Sequence, residues 1–292
     1  YLTVINYNKS LEATIKNYDS VYKAYQETKT RFDLGSATLY DLQNAEASFA
    51  VAKTNLYEAE QNVIISKKSF KRLVGQEAKN LEDVLEVDTN IELDIVTKSA
   101  LKNNLDLLLI SNDIKIKEIL ISKEEKTKKP NLDIVGTGLY SNGSRLERGT
   151  ETTSASVSLT LTVPLFQKGQ DNSNIRKYKS QKLQSQINFQ DTSDDLYLVM
   201  ANTYKDFKVS QSKMESSLII IKSIQTALTS LQEEYEIGTK TINELIEEEE
   251  KLLIANVNYL NSKKNFLLNY FKIKSLNGEL INSFESYLPL IK

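Results

Sequence analysis

The sequence predicts a mainly α protein built from long antiparallel coiled-coil helices in two structural repeats, with one β-hairpin. Three observations predict it. Residues 24–75 and 227–278 align without a gap at a constant offset of 203. An apolar spacing of alternating threes and fours runs through both copies. Ser154 to Val163 alternates strictly between polar and apolar residues and carries no charge.

The repeat is carried by identities at fixed spacing. Gly35 pairs with Gly238, Thr38 with Thr241, Leu42 with Leu245, Ala52 with Ala255, Asn55 with Asn258, Leu73 with Leu276 and Gly75 with Gly278. Residues 1–90 therefore read as the C-terminal part of a first repeat whose tip is Gly35. Residues 91–292 read as a second repeat containing a helix, a β-hairpin at about 131–164 and a long helical hairpin with its tip at Gly238. Tyr1 aligns with Tyr204 while the second repeat starts near Ile91, so a first repeat of equal length is expected to have roughly 110 further residues at its front.

Helices follow from the apolar register. Nine of the ten positions Leu42, Ala45, Phe49, Ala52, Leu56, Ala59, Val63, Ser66, Phe70 and Leu73 are apolar, a coiled-coil seam. The second copy keeps that seam and adds a second stripe of Ile246, Leu253, Val257, Leu260, Leu267 and Phe271. A helix apolar on two stripes has more than one neighbour. Gly35 and Gly238 suit the left-handed position just past a helix end. Thr38-Leu39-Tyr40-Asp41 and Thr241-Ile242-Asn243-Glu244 each read as a capping box that opens the next helix. Incoming helices are expected over 1–33 and about 172–236, outgoing ones over 38–73 and 241–276. At 1.5 Å per residue the longer incoming helix would measure on the order of 100 Å.

Leu93–Lys128 reads as one further helix, stopped by Pro130. After it the period changes to two. Ala155, Val157, Leu159, Leu161 and Val163 share one face, and Ser156, Ser158 and Thr160 the other. Asn131–Ser141 is the matching strand, and Asn142–Thr152 a polar loop holding Gly143 and Gly149. Such a pair is either a ribbon on a soluble protein or a pair of membrane strands, which need about 9–11 alternating residues. An isolated hairpin is marginal in water, and this outer face is wholly aliphatic.

Composition narrows the function classes. Charged residues make up 26% of the chain and the net charge is −2, which offers no basic stripe for nucleic acid. Histidine and cysteine are absent, so the usual neutral-pH base and any thiolate site are missing. No apolar stretch of about 18 residues exists to form a transmembrane helix. No spacing suggests a nucleotide loop, a catalytic triad or a metal cage. Neither an enzyme nor a cofactor is expected.

The ordered motifs resemble the TolC-type outer-membrane channel family, the exit ducts of tripartite efflux pumps and type I secretion systems. Tyr235-Glu236-Ile237-Gly238-Thr239-Lys240-Thr241-Ile242-Asn243-Glu244-Leu245 is similar to the family's helical turn, and Phe32 to Leu42 is its twin. Ile273 to Leu280 resembles the end of the outgoing helix, Ala100 to Leu107 the start of a repeat, and Lys129-Pro130-Asn131-Leu132 with Val163 to Gly169 the hairpin's entry and exit. The resemblance covers nearly the whole chain and implies a homotrimer in the outer membrane with a long periplasmic extension. Implied partners are outer-membrane lipid, a periplasmic adaptor protein and an inner-membrane transporter. The family supplies two hairpins per protomer, whereas this chain carries one. The alternative is a soluble coiled-coil scaffold with a β-hairpin.

Candidate sites follow. The acids of the outgoing turn map onto Glu244 and Glu247, which the resemblance associates with a cation-selective constriction; helix-start acids serving cap and dipole are the other reading. Glu248–Glu250 are expected to be mostly solvated. The resemblance makes Asp41, Tyr235, Thr239 and Lys240 links between the two turns, with Lys240 reaching Asp41. The tips Leu34, Gly35, Ser36, Ile237 and Gly238 become adaptor contacts. Ala155, Val157, Leu159, Leu161 and Val163 become the lipid-facing strand.

Overall fold

The computed structural model describes residues 1–79, 81–83, 87–142, 151–165 and 168–282. The turn glycines Gly143 and Gly149, and Phe166-Gln167 of the hairpin's exit motif, lie outside the described residues. In order, the elements are α1 (Leu2–Asp33), α2 (Leu39–Val74), α3 (Leu93–Asn103), α4 (Leu105–Lys126), β1 (Asn131–Asn142), β2 (Glu151–Thr162), α5 (Gln170–Glu236) and α6 (Ile242–Leu276). The chain is mainly α, with long helices and one antiparallel strand pair. Its residues form two compact units, one of Tyr1–Ala100 with Tyr197–Lys292, the other of Leu101–Leu196.

In the first unit α1 packs on both α2 and α6. The core beneath the turns comprises Val21, Ala24, Ala45, Ala52, Ile242 and Ile246, with Tyr18, Tyr25, Phe49 and Tyr235 packed against it. Tyr25 and Phe49 stack with ring centroids 5.3 Å apart. Further along, Phe207 of α5 and Phe266 of α6 stack at 5.0 Å. Both apolar stripes of α6 contribute, since Ala255, Phe266 and Ile273 come from one and Ile246 and Leu267 from the other, and all are buried.

The buried face of α1 is different. Alongside Val4, Val21 and Ala24 it buries Asn6, Thr14, Asn17 and Thr28. Thr14 and Thr28 donate to the carbonyls of Ser10 and Ala24 one turn back, so their hydroxyls cost little on burial. The asparagines donate across the seam, Asn6 to Asn261 at 3.1 Å and Asn17 to the Glu249 carbonyl at 3.2 Å. The segment after α2 is tied to this seam: Tyr1 donates to the Glu82 carbonyl, and Asp83 pairs with Lys9 of α1 and, at 3.0 Å, with Lys263 of α6.

The expected single helix over Leu93–Lys128 is broken at Asn104. There the backbone turns extended (ψ 130°), and the side-chain oxygen accepts from the amides of Asp106 and Leu107 at 3.0 and 3.2 Å. An Asn that can satisfy two orphan amides makes a strong N-cap, and α4 starts afresh.

In the second unit α4 and the Gln170–Leu196 part of α5 run antiparallel, joined by Lys128–Asn172 (2.6 Å), Asn174–Glu124 (3.2 Å), Lys182–Glu118 (2.9 Å) and Ser185–Asp113 (2.7 Å). β1 and β2 pair from Asn131↔Thr162 to Asn142↔Glu151. Val163 lies one residue past the ladder.

Candidate functional site

The two turns are built alike, atom for atom. At the end of α1, Gly35 has φ 76° and its amide donates to the Phe32 carbonyl, while the Ser36 amide and hydroxyl both donate to the Arg31 carbonyl at 2.8 and 2.9 Å. At the end of α5, Gly238 has φ 82°, its amide donates to the Tyr235 carbonyl, and the Thr239 amide and hydroxyl donate to the Glu234 carbonyl at 3.0 and 2.8 Å. A positive φ is open to glycine and strained for other residues, which explains why glycine stands at both positions. Both capping boxes are complete, Thr38 with Asp41 and Thr241 with Glu244. Leu34 and Ile237, beside the two glycines, are 77% and 75% exposed.

The turns meet at one end of the unit, through side chains that the repeat does not relate. Asp41 accepts from the Thr38 hydroxyl and amide at 2.6 and 3.1 Å and from Asn243 Nδ2 at 3.1 Å. These bonds, the Thr38 hydroxyl's foremost, hold its carboxyl below the usual range. Lys240 reaches Glu244 at 2.8 Å and not Asp41, which corrects the expected link. The reason is local: Glu244 lies four residues on, in the same turn, and is already aimed at the helix start by Thr241. With Lys240 first and the Thr241 amide and hydroxyl (2.9 and 3.0 Å) next, the Glu244 carboxyl is pulled down to about 2.

Tyr235 makes the second connection. Its phenol donates to Glu27 of α1 at 2.7 Å, Arg31 lies 5.0 Å from its ring centroid, and Arg31 also pairs with Glu27 at 2.8 Å. Burial, then the bond to Glu27, raises the phenol to about 12, so it remains a donor at any physiological pH. Thr239 stays within its own turn. Sequence reasoning missed Glu27, Arg31 and Asn243. The offset held a clue: Tyr235 replaces Phe32 and Asn243 replaces Tyr40, so the second copy alone offers these donors.

Glu247 is exposed one turn beyond Glu244. Glu248, also expected to be mostly solvated, is largely covered, its side chain 17% exposed, and pairs with Lys251 at 2.9 Å. Glu249, expected to be mostly solvated, is instead half-buried against α1, because the close approach of α1 and α6 turns that position inward.

The strand pair presents two unlike faces. Leu132, Ile134, Gly136, Gly138 and Tyr140 stand opposite Leu161, Leu159, Val157, Ala155 and Thr153; the other face sets Asp133, Val135, Thr137, Leu139 and Ser141 opposite Thr160, Ser158, Ser156, Ser154 and Thr152. Thr137 and Ser156 hydroxyls bond at 2.6 Å. Val157 is 81% exposed, and Leu159, Leu161 and Ile134 are exposed beside it. A contiguous aliphatic face of this kind marks a surface built for an apolar surrounding. Among the described residues, no helix is long and apolar enough to cross a membrane and no group of acids is placed to hold a metal.

Residues 96–279 match the model of the outer membrane efflux protein family. The chain is 25% identical over 305 residues to outer membrane protein TolC of Escherichia coli K12, covering 96% of this chain and 60% of that protein. It is 23% identical to TolC of Vibrio cholerae, covering 96% and 66%. The chain thus spans about 60% of the length of its curated TolC relatives. Its fold is that of the Campylobacter jejuni CmeC outer membrane channel, with a TM-score of 0.73 at 19% identity over 96% of this chain and 61% of that one. The relatives are outer membrane proteins, and that is this chain's location as well. With more than half of its residues inside the family match, the chain belongs to the outer membrane efflux protein family.

Proposed function

We propose that the protein is the passive outer-membrane duct of a tripartite efflux pump or type I secretion system. The observation that carries this reading is the pairing of an exposed aliphatic strand face with long helical hairpins whose tips lie side by side. An isolated strand pair cannot close a barrel, so each copy supplies strands to a shared one, and the resemblance to the TolC-type family makes that assembly a homotrimer. Ala155, Val157, Leu159, Leu161 and Val163 face lipid, and Ser156, Ser158 and Thr160 face the lumen. Residues 1–90 belong to the first repeat and residues 91–292 to the second. The chain does no bond chemistry; an inner-membrane transporter supplies the energy.

The turns form the periplasmic mouth. Leu34, Gly35, Ser36, Ile237 and Gly238 meet a periplasmic adaptor. Asp41 and Tyr235 hold the closed mouth together, with Asn243, Glu27 and Arg31 as partners, while Thr239 and Lys240 brace their own turn. Glu244 and Glu247 line the constriction.

The test is membrane assembly of the full-length protein. Arg in place of Leu159 near mid-membrane should cost about 2–4 kcal/mol and deplete the assembled form, while Arg in place of Ser158 should be tolerated. Equal tolerance of the two would favour a soluble scaffold.

A further inference from the structure

We propose that Glu249 is a proton-sensitive latch on the seam between α1 and α6, which tightens when its carboxyl is neutral and loosens when it is ionised. The inference stands on the seam's geometry and does not depend on what passes through the duct.

Glu249 sits where α6 meets the polar face of α1. Its backbone carbonyl accepts from Asn17, and its side chain shares a groove with the Ser20 hydroxyl, which favours the ionised form. It is the one carboxylate shared by two grooves. One, of about 400 Å³, is lined by Lys9, Glu12, Lys16 and Asn17 of α1, Gln225 of α5 and the Glu249–Lys263 stretch of α6. The other, of about 270 Å³, is lined by Ser20, Lys23 and Glu27 of α1, Gln232 of α5 and Ile242, Leu245 and Ile246 of α6.

The charges facing it do not neutralise it. Glu27 is engaged with Arg31 and Tyr235, and Lys9 and Lys263 with Asp83. Lys16 and Lys23 make no ion pair with Glu249 among the described residues, α5 presents only glutamines, and Glu12 adds a like charge. The packed α2 side chains of this core, Ala45, Phe49 and Ala52, are apolar. A single hydroxyl is a poor substitute for the several donors an ionised carboxylate takes from water. Burial therefore dominates and pushes the Glu249 carboxyl up, the neighbouring Ser20 hydroxyl offsetting it only in part.

A carboxyl that holds its proton more tightly in the packed seam than in water makes packing proton-linked. The seam is at its tightest below the ordinary carboxylate value and weakens as pH rises through the raised one. Glu244 and Asp41, whose carboxyls are lowered, act in the opposite direction at lower pH, so the two effects are separable.

The experiment is amide hydrogen exchange of the α1 segment 14–24 in the full-length protein, corrected for intrinsic exchange. Wild type should exchange roughly threefold or more slowly at about pH 5 than at about pH 8. Glu249→Gln should remove this step and hold the slow rate throughout. Ser20→Ala, which deletes the hydroxyl that favours the ionised carboxylate, should move the midpoint to higher pH. A pH-independent wild type overturns the proposal, as does a step that survives in Glu249→Gln. Should that variant not fold, an unmoved midpoint in Ser20→Ala overturns it equally.

Discussion

The Asn243 amide of α6 donates to the Asp41 carboxylate of α2 at 3.1 Å, joining the two turns through residues that are not repeat partners. Asp41 corresponds to Glu244, and Asn243 to Tyr40. One carboxylate therefore caps its own helix and also ties it to the neighbouring hairpin, whereas its twin Glu244 caps its helix and takes Lys240 from its own turn. Internal symmetry built the two turns, and its local failure connects them.

The connection predicts non-additivity. Asn243→Ala removes only the cross-link, whereas Asp41→Ala removes cross-link and cap together. In a double-mutant cycle read by chemical denaturation, the pair should show a coupling of about 0.5–1 kcal/mol. Strict additivity would make the contact incidental.

Thr38→Ala and Thr241→Ala should each destabilise by about 1 kcal/mol, since each deletes the hydroxyl that accepts from an N3 amide at 3.1 and 3.3 Å. Thermal melting checks this. A cost for one and none for the other would mean that the duplicated caps are not energetically equivalent.

Tyr235→Phe restores the residue type of its twin Phe32 and keeps the ring under Arg31. The expected loss is about 1 kcal/mol, the net value of the bond to Glu27. Glu27→Gln should cost less, because the phenol keeps an acceptor. Denaturation midpoints of the two variants decide the order.

Glu244 has its folded-state carboxyl pulled down to about 2 from an ordinary 4.5, with Lys240 the first cause. A lowered carboxyl contributes stability above the unfolded value and loses it as pH falls through the folded one. The first turn of α6 should therefore weaken between about pH 4.5 and pH 2, and Lys240→Ala should shift that loss to higher pH. Circular dichroism across that range, with Glu244→Gln as reference, would reveal an unmoved profile if Lys240 has no part in it.

In single-channel recordings of the assembled full-length protein, Glu244→Gln with Glu247→Gln should lower cation preference and weaken block by multivalent cations. The competing outcome is an unchanged reversal potential with a slightly destabilised helix start. That result would leave both acids as helix-start residues.

Much was legible in the sequence for a physical reason. Glycine past a helix end, a Thr-x-x-acid box and an apolar period are local instructions, each acting within about one turn of chain. The repeat then doubled the helical signals, which is why the turns at Gly35 and Gly238 and both caps are found where the residues place them; the strand alternation, given once, is found there too. Asn104 shows the limit. It lies inside a run that looks helical throughout, and only the two amides it accepts from reveal a new helix start.

What the sequence by itself determined was every element but the break at Asn104, the helical turns and the unlike faces of the strand pair. What only the tertiary structure decided was which side chains meet across elements: Asn243 with Asp41, Tyr235 with Glu27, Asn17 with Glu249. These contacts join residues more than 200 positions apart, and no local period encodes them. They exist because the packing of α1 with α2, α5 and α6 sets these side chains within reach of one another, and on the α1–α6 seam the buried Asn17 takes the partner that packing brings to it.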